Sequence, residues 1–123
     1  MAPLQSVADD VRALGRRVLA FKCDITKLSA VSELATAVQE ELGPVDILVN
    51  NAGIAESHKF AGHPDHLWEQ TLALNLSAVY HVTKAFYPSM TQRQWGRIIM
   101  IASIAGKVGL KYASAYAASK HGL

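Results

Sequence analysis

The stretch Val45-Asp46-Ile47-Leu48-Val49-Asn50-Asn51-Ala52-Gly53 is an apolar run that stops abruptly at two amides, an alanine and a glycine. Consecutive apolar residues, without alternation, are the pattern of a parallel strand covered on both faces. In open α/β sheets ligands bind beyond the carboxyl ends of such strands. Asn50 to Gly53 are therefore expected at a ligand-facing edge. A second run, Arg97-Ile-Ile-Met-Ile-Ala-Ser103, delivers a serine to the same edge. Between the two, Leu74-Asn75-Leu76 sets an amide inside an otherwise apolar, helical segment.

Outward from these strands the pattern alternates helix and strand. Leu4 to Leu14 reads as a helix, and Val18 to Cys23 as a short strand flanked by Gly15 and Asp24. Ser29 to Leu42 is amphipathic at the helical period, with Val31, Leu34, Ala35, Val38 and Leu42 on one side and Gly43-Pro44 as its stop. Val45 to Val49 is the next strand. Pro64 fits a first helical position, and Leu67, Leu72, Leu74, Leu76, Val79, Val82 and Phe86 then run through one long helix ending near Met90. A strand at Ile98 to Ile101 and a helix from about Ala113 complete the βαβ alternation of an α/β fold with a parallel sheet.

The last helix carries Tyr116 and Lys120 at i and i+4, so both side chains project from one face. A phenol with its ordinary pKa of about 10 exchanges protons poorly at neutral pH, and a fixed cation beside it favours the phenolate. Tyr116 thereby becomes a candidate general acid or base. Taken alone, a tyrosine and a lysine four residues apart are more often two exposed helix residues, so the pair needs the company of Ser103 and the two amide motifs.

With those motifs in place the chain resembles the short-chain dehydrogenase/reductase family over essentially all of its 123 residues. The matches are Asn50-Asn51-Ala52-Gly53, Asn75 in Leu-Asn-Leu, Ser103 after its strand, Tyr116-x-x-x-Lys120, and Asp24 in Cys23-Asp24-Ile25-Thr26. The resemblance implies a Rossmann-like, doubly wound parallel sheet. It also implies that residues 1–123 are the central part of a single domain. The family's opening strand and its Thr-Gly-x-x-x-Gly-x-Gly turn, which cradles the cofactor pyrophosphate, match none of the eight glycines. In the family's strand order, 3-2-1-4-5, two strands absent from this sequence belong between Val18–Cys23 and Val45–Val49. Strands without ladder partners lose about 1–3 kcal/mol per buried unsatisfied group. The 123 residues by themselves are therefore expected to be marginally stable or prone to aggregate.

The resemblance further implies an NAD- or NADP-dependent oxidoreductase interconverting a ketone and a secondary alcohol. Tyr116 is the implied acid/base, and Lys120 stabilises its phenolate and holds the nicotinamide ribose. Ser103 hydrogen-bonds the substrate oxygen, and Asn75 completes the relay, through a water held by its backbone carbonyl. Asp24 and Ile25 would contact the adenine side, while Asn50, Ala52 and Gly53 line the cofactor, with Gly53 admitting the ribose close to the backbone. Without a ligand, Asn50 and Asn51 read as strand terminators. Tyr112 either lines a substrate pocket between Ser103 and Tyr116 or covers the loop Gly106 to Lys111.

The segment Ile101-Ala-Ser-Ile-Ala-Gly-Lys107 and the ending Ala118-Ser-Lys-His-Gly122 resemble ketoreductases and 3-hydroxybutyrate dehydrogenases. The latter bind a small carboxylate through polar residues where this chain has Ala55, Ala105 and Ala113. A larger or neutral ketone, such as a 3-oxoacyl group, is therefore expected. Family members commonly form dimers or tetramers through the long helix and the catalytic helix. The apolar face around Leu74, Val79, Val82 and Phe86 suits that packing or packing on the sheet. A different class of reading, a truncated non-catalytic product that keeps only an oligomerising surface, is separated from the enzyme by cofactor binding. A nucleotide sensor has no evident need for Asn75, Ser103, Tyr116 and Lys120 together.

Composition narrows the remaining classes. Half the residues are hydrophobic, the net charge is +2, and no acidic or basic block stands out. Nucleic-acid binding is not supported, and Arg16-Arg17 with Lys22 and Lys27 reads as solvated helix-end charge. No signal peptide and no apolar span of about 18 residues is present, so a soluble, cytoplasmic protein is expected. The single cysteine, Cys23, reads as a small buried hydrophobe. His63-x-x-His66 with His58 nearby is the only histidine cluster, and Pro64-Asp65 marks it as a helix start, so no metal is expected. Trp68 and Trp95 are expected as packing anchors.

Overall fold

The computed structural model describes residues 2–123. Its elements are α1 (Ala2–Ala13), α2 (Leu28–Glu41), β1 (Ile47–Asn50), α3 (Asp65–Leu72), α4 (Ala78–Gln92), β2 (Arg97–Met100) and α5 (Ser114–Gly122), with single 3₁₀ turns at Phe60–Gly62 and Ile104–Gly106. Most lie within two residues of the limits read from pattern. The long helix begins at Asp65, with Pro64 in the N-cap position at φ −68° and ψ 130°. Helix α2 closes where the amides of Leu42 and Gly43 both donate to the Val38 carbonyl.

β1 and β2 pair in parallel, Ile47 opposite Arg97 through Asn50 opposite Met100. The ladder is prolonged at both ends, by Arg97 N donating to Asp46 O at 2.8 Å and Ile101 N to Asn50 O at 3.0 Å. Helix α4 packs against β1, and its Val79 and Val82 are buried. Helix α2 packs on α4 through the buried Val31. Arg93, just past the end of α4, ties that end to the strand entrance through Asp46 Oδ1 at 2.6 Å and the Val45 carbonyl at 2.7 Å.

Four expectations change. Val18 to Cys23 is not a strand, because among the described residues the sheet consists of β1 and β2 and the segment has no ladder partner to define it. β1 is covered on one face only: Ile47 and Val49 are 57% and 51% exposed, and Ile99 opposite Val49 is 44% exposed. The long helix is interrupted by a π-turn at Ala73–Ser77, in which Ala78 N donates to Ala73 O, five residues back. Trp68 and Trp95 are not buried anchors. Both are exposed, and the indole of Trp95 lies under the Arg97 guanidinium at 4.3 Å. Arg17 donates to the Glu41 carbonyl at the end of α2, a helix-end role for that cation.

Candidate active site

The residues singled out in the sequence fall into one tight group and two outliers. Ser103 follows β2 in extended backbone, φ −160°, and its Oγ accepts from Ala105 N at 3.2 Å. That bond opens the 3₁₀ turn Ile104–Gly106 and leaves the serine's own proton for donation. The turn lies directly on α5, since a Cβ at Gly106 would come within 2.6 Å of the Lys120 carbonyl oxygen. Only a residue without a side chain permits this approach.

On α5, Tyr116 and Lys120 share a face, with the ammonium 5.8 Å from the centroid of the phenol ring. Lys120 is only 8% exposed. Its Nζ donates to the Ile101 carbonyl, at the end of β2, at 2.7 Å. An ammonium has three protons, so two remain for other acceptors, and a buried cation with free donors is suited to ligand hydroxyls. The lysine chemistry thus fits the ribose of a nicotinamide cofactor.

Asn75 sits in the π-turn, 1% exposed. Its Oδ1 accepts from Ile54 N at 2.9 Å, and its Nδ2 donates to Ile54 O at 2.8 Å and to Ser119 Oγ at 3.1 Å. The side chain therefore clamps the segment that follows Gly53. A Cβ on Gly53 would stand 3.0 Å from Asn75 Oδ1, so the close approach at this glycine is made by the asparagine. Asn51 and Ala52 are exposed beyond the end of β1. Asn50 turns inward instead, donating through Nδ2 to Thr83 Oγ1 at 3.1 Å, with Met100 Sδ at 3.3 Å. Its side chain pins β1 to α4.

Asp24 and Ile25 lie on the turn before α2, and no hydrogen bond among the described residues joins them to the Ser103–Lys120 group. The exposed Asp24 carboxylate accepts from the Thr26 hydroxyl at 2.6 Å and from Thr26 N at 3.0 Å, and these bonds hold its pKa below the ordinary carboxylate value. The neighbouring Cys23 is half-buried, and burial, followed by the charges of Asp24 and Glu33, raises its thiol pKa.

Tyr112 stands before α5 with φ +62°, a left-handed conformation uncommon for an aromatic residue. Its carbonyl accepts from His58 N at 2.8 Å, joining the loop after Gly53 to the loop before α5, and its side chain is 56% exposed. His58 lies 3.3 Å from Glu56 Oε2 and edge-on to His63, whose Nδ1 is 3.1 Å from the Pro64 carbonyl oxygen. Two clefts, of about 720 and 510 Å³, lie between α2 and α4 and beside Trp95, away from Ser103, Tyr116 and Lys120.

Two participants escaped the sequence reading, Ser119 and Gly106. The available signal was small residues at i, i+4 and i+7, namely Ala115, Ser119 and Gly122, a spacing that allows close helix approach.

Comparison with known proteins places the geometry. The family profile described as short chain dehydrogenase matches residues 1–123. A D-beta-hydroxybutyrate dehydrogenase of Rhizobium meliloti is 39% identical over 121 residues, covering 98% of this chain and 47% of that protein. A putative ketoacyl reductase of Streptomyces coelicolor is 38% identical over 122 residues, again 98% and 47%. The crystal structure of a variant of actinorhodin polyketide ketoreductase with NADPH superposes with a TM-score of 0.92 at 39% identity, covering 97% of this chain and 46% of that one. The chain spans about half the length of the relatives it matches.

Proposed function

The chain belongs to the short-chain dehydrogenase family, and from that premise we propose that the protein is an NAD(P)-dependent oxidoreductase interconverting a ketone and a secondary alcohol. The observation that carries the reading is Lys120: buried, bonded to the Ile101 carbonyl at 2.7 Å, and 5.8 Å from the Tyr116 ring. A cation fixed there stabilises the phenolate that forms when Tyr116 gives its proton to a ketone oxygen, and in the reverse direction the phenolate takes the proton of the alcohol. Ser103 donates to the same oxygen and stabilises the charge that develops on it. The free protons of Lys120 would hold the ribose hydroxyls, with Asn50, Ala52 and Gly53 lining the cofactor and Asp24 and Ile25 toward its adenine end. When bound, the nicotinamide supplies or accepts the hydride. Asn75 supports this array by clamping Ile54, and its backbone carbonyl is a candidate water site for the proton path to Lys120.

The substrate is a 3-oxoacyl or other neutral ketone. Ala55, Ala105 and Ala113 offer a small carboxylate no partner, and the latter two are buried. Tyr112, exposed beside this edge, is the candidate wall of the substrate pocket. A cytoplasmic location and a dimer or tetramer belong to the same reading. No helix among the described residues is long and apolar enough to cross a membrane.

The test is Tyr116→Phe in the full-length protein. Ketone reduction with NADPH or NADH is expected to disappear while cofactor binding is kept, because only the proton donor is removed. Retained turnover sinks the mechanism. One observation favours a non-catalytic reading of the 123 residues taken alone, the bare sheet face at Ile47, Val49 and Ile99. Titration with NADH and NADPH separates the two, since the non-catalytic reading expects no binding.

A further inference from the structure

Ser119 has no exposed surface, and both of its hydrogen-bonding capacities are engaged. Its Oγ donates to the Tyr116 carbonyl at 2.7 Å and accepts from Asn75 Nδ2 at 3.1 Å. Asn75 in turn holds the backbone of Ile54 by both its amide and its carbonyl, at 2.9 and 2.8 Å. A continuous line of bonds therefore runs from the residue after Gly53, through the π-turn, to the backbone of the tyrosine on α5.

We infer that Ser119 is a positioning residue that couples the Asn51–Ile54 segment to the placement of Tyr116 and Lys120. The inference rests on the oxidoreductase reading for its catalytic consequence. A serine bonding back to the carbonyl three residues earlier bends and tightens a helix turn. Here the turn so bonded is the one bounded by Tyr116 and Lys120. Because Asn75 holds the Ser119 hydroxyl, and Ile54 holds Asn75, a shift of the segment after Gly53 is transmitted to the backbone of Tyr116 through a line of engaged hydrogen-bonding groups. The Asn51–Ile54 segment, which would line a bound cofactor, is thereby tied to the position of the acid/base.

Ser119→Ala removes both bonds at almost unchanged volume. In the full-length protein it is expected to lower kcat by about tenfold, the scale of a small misplacement of a reacting group. KM and the Kd for NADPH should stay within about twofold, and the pH profile of kcat should shift. Amide exchange, which needs no turnover, is expected to speed up at Ile54 and across Ser114–Gly122 together. Unchanged kcat overturns the coupling, as does exchange that rises at neither segment or at only one. A parallel collapse of Tm, Kd and kcat also overturns it, because that is the mark of a merely structural serine. If the unsubstituted protein binds no NAD(P)H and reduces no ketone, the oxidoreductase reading fails instead, and the exchange result still decides the coupling.

Discussion

The ammonium of Lys120 is bonded to the carbonyl oxygen of Ile101 at 2.7 Å, so the cation of the candidate site hangs from the end of β2 as well as from α5. Two elements distant in sequence fix its position. Lys120→Met removes the charge and strands the Ile101 acceptor, which costs about 1–3 kcal/mol of stability if water does not replace the donor. The expected loss in kcat is about 100-fold or more. Lys120→Arg restores neither, because a planar guanidinium cannot reproduce a compact ammonium in an 8% exposed site. Thermal unfolding and steady-state kinetics of both variants check this, and an active Arg variant contradicts it.

Gly106→Ala is expected to be disproportionately harmful. The added methyl would meet the Lys120 carbonyl at 2.6 Å, and the obstacle is backbone, which cannot rotate away. Overpacking of this kind costs about 1–3 kcal/mol. The displaced element is the turn that carries Ser103. A lowered Tm with a lowered kcat is the expected pair of results, and wild-type values for both would show that the turn can yield.

Asp24 supplies a pH dependence. Its folded pKa lies below the ordinary value because of the Thr26 hydroxyl first and the Thr26 amide second. A depressed carboxylate contributes stability that is present above the unfolded pKa of about 3.9 and is lost as pH falls through the lower folded value. The effect is therefore confined to acid. Thr26→Ala keeps the amide bond and loses the hydroxyl, so the Asp24 carboxyl titration followed by NMR should move part of the way up. An unmoved midpoint would contradict the assignment to the hydroxyl.

A polypeptide of these 123 residues alone is expected to self-associate. Val49 and Ile99 are opposite one another on the bare face of the pair, with Ile47 beside them, and both strands have a free edge. Sedimentation velocity should show species heavier than 13.3 kDa, and Ile99→Lys should shift the distribution toward monomer. The same polypeptide is expected to show no turnover, since no glycine-rich turn is present to hold a pyrophosphate. A clean, active monomer would overturn both expectations.

Much of this was readable in the chain because its signals are local. The helical period gave α2 and α4, the apolar run ending in amides gave β1, and the i, i+4 spacing gave the shared face of Tyr116 and Lys120. What stayed hidden depends on partners far away in sequence. Val18–Cys23 has the composition of a strand, but a strand is defined by its neighbours. Ser119 in isolation is an ordinary helical serine, and its burial follows from Asn75, 44 residues earlier. The bond from the Asn50 side chain to Thr83, 33 residues later, was likewise invisible in the local sequence. The amide in Leu74-Asn75-Leu76 was visible, whereas the change of helical winding around it was not, because composition carries no mark of an i+5 bond.

That winding has a consequence for the length of the chain. The turn at Ala73–Ser77 takes up one residue more than a regular α-turn would, and each α-helical residue advances about 100°. The faces of α3 and α4 are therefore out of phase by about that angle, one set against α5 and the other against β1. Deleting a single residue between Ala73 and Ser77 would bring the two helices into one continuous phase. It would rotate either the packed face of α3 off α5 or that of α4 off β1, whichever half moved. The segment is thus a place where a one-residue deletion is far more damaging than most substitutions, although nothing in its amino-acid composition sets it apart.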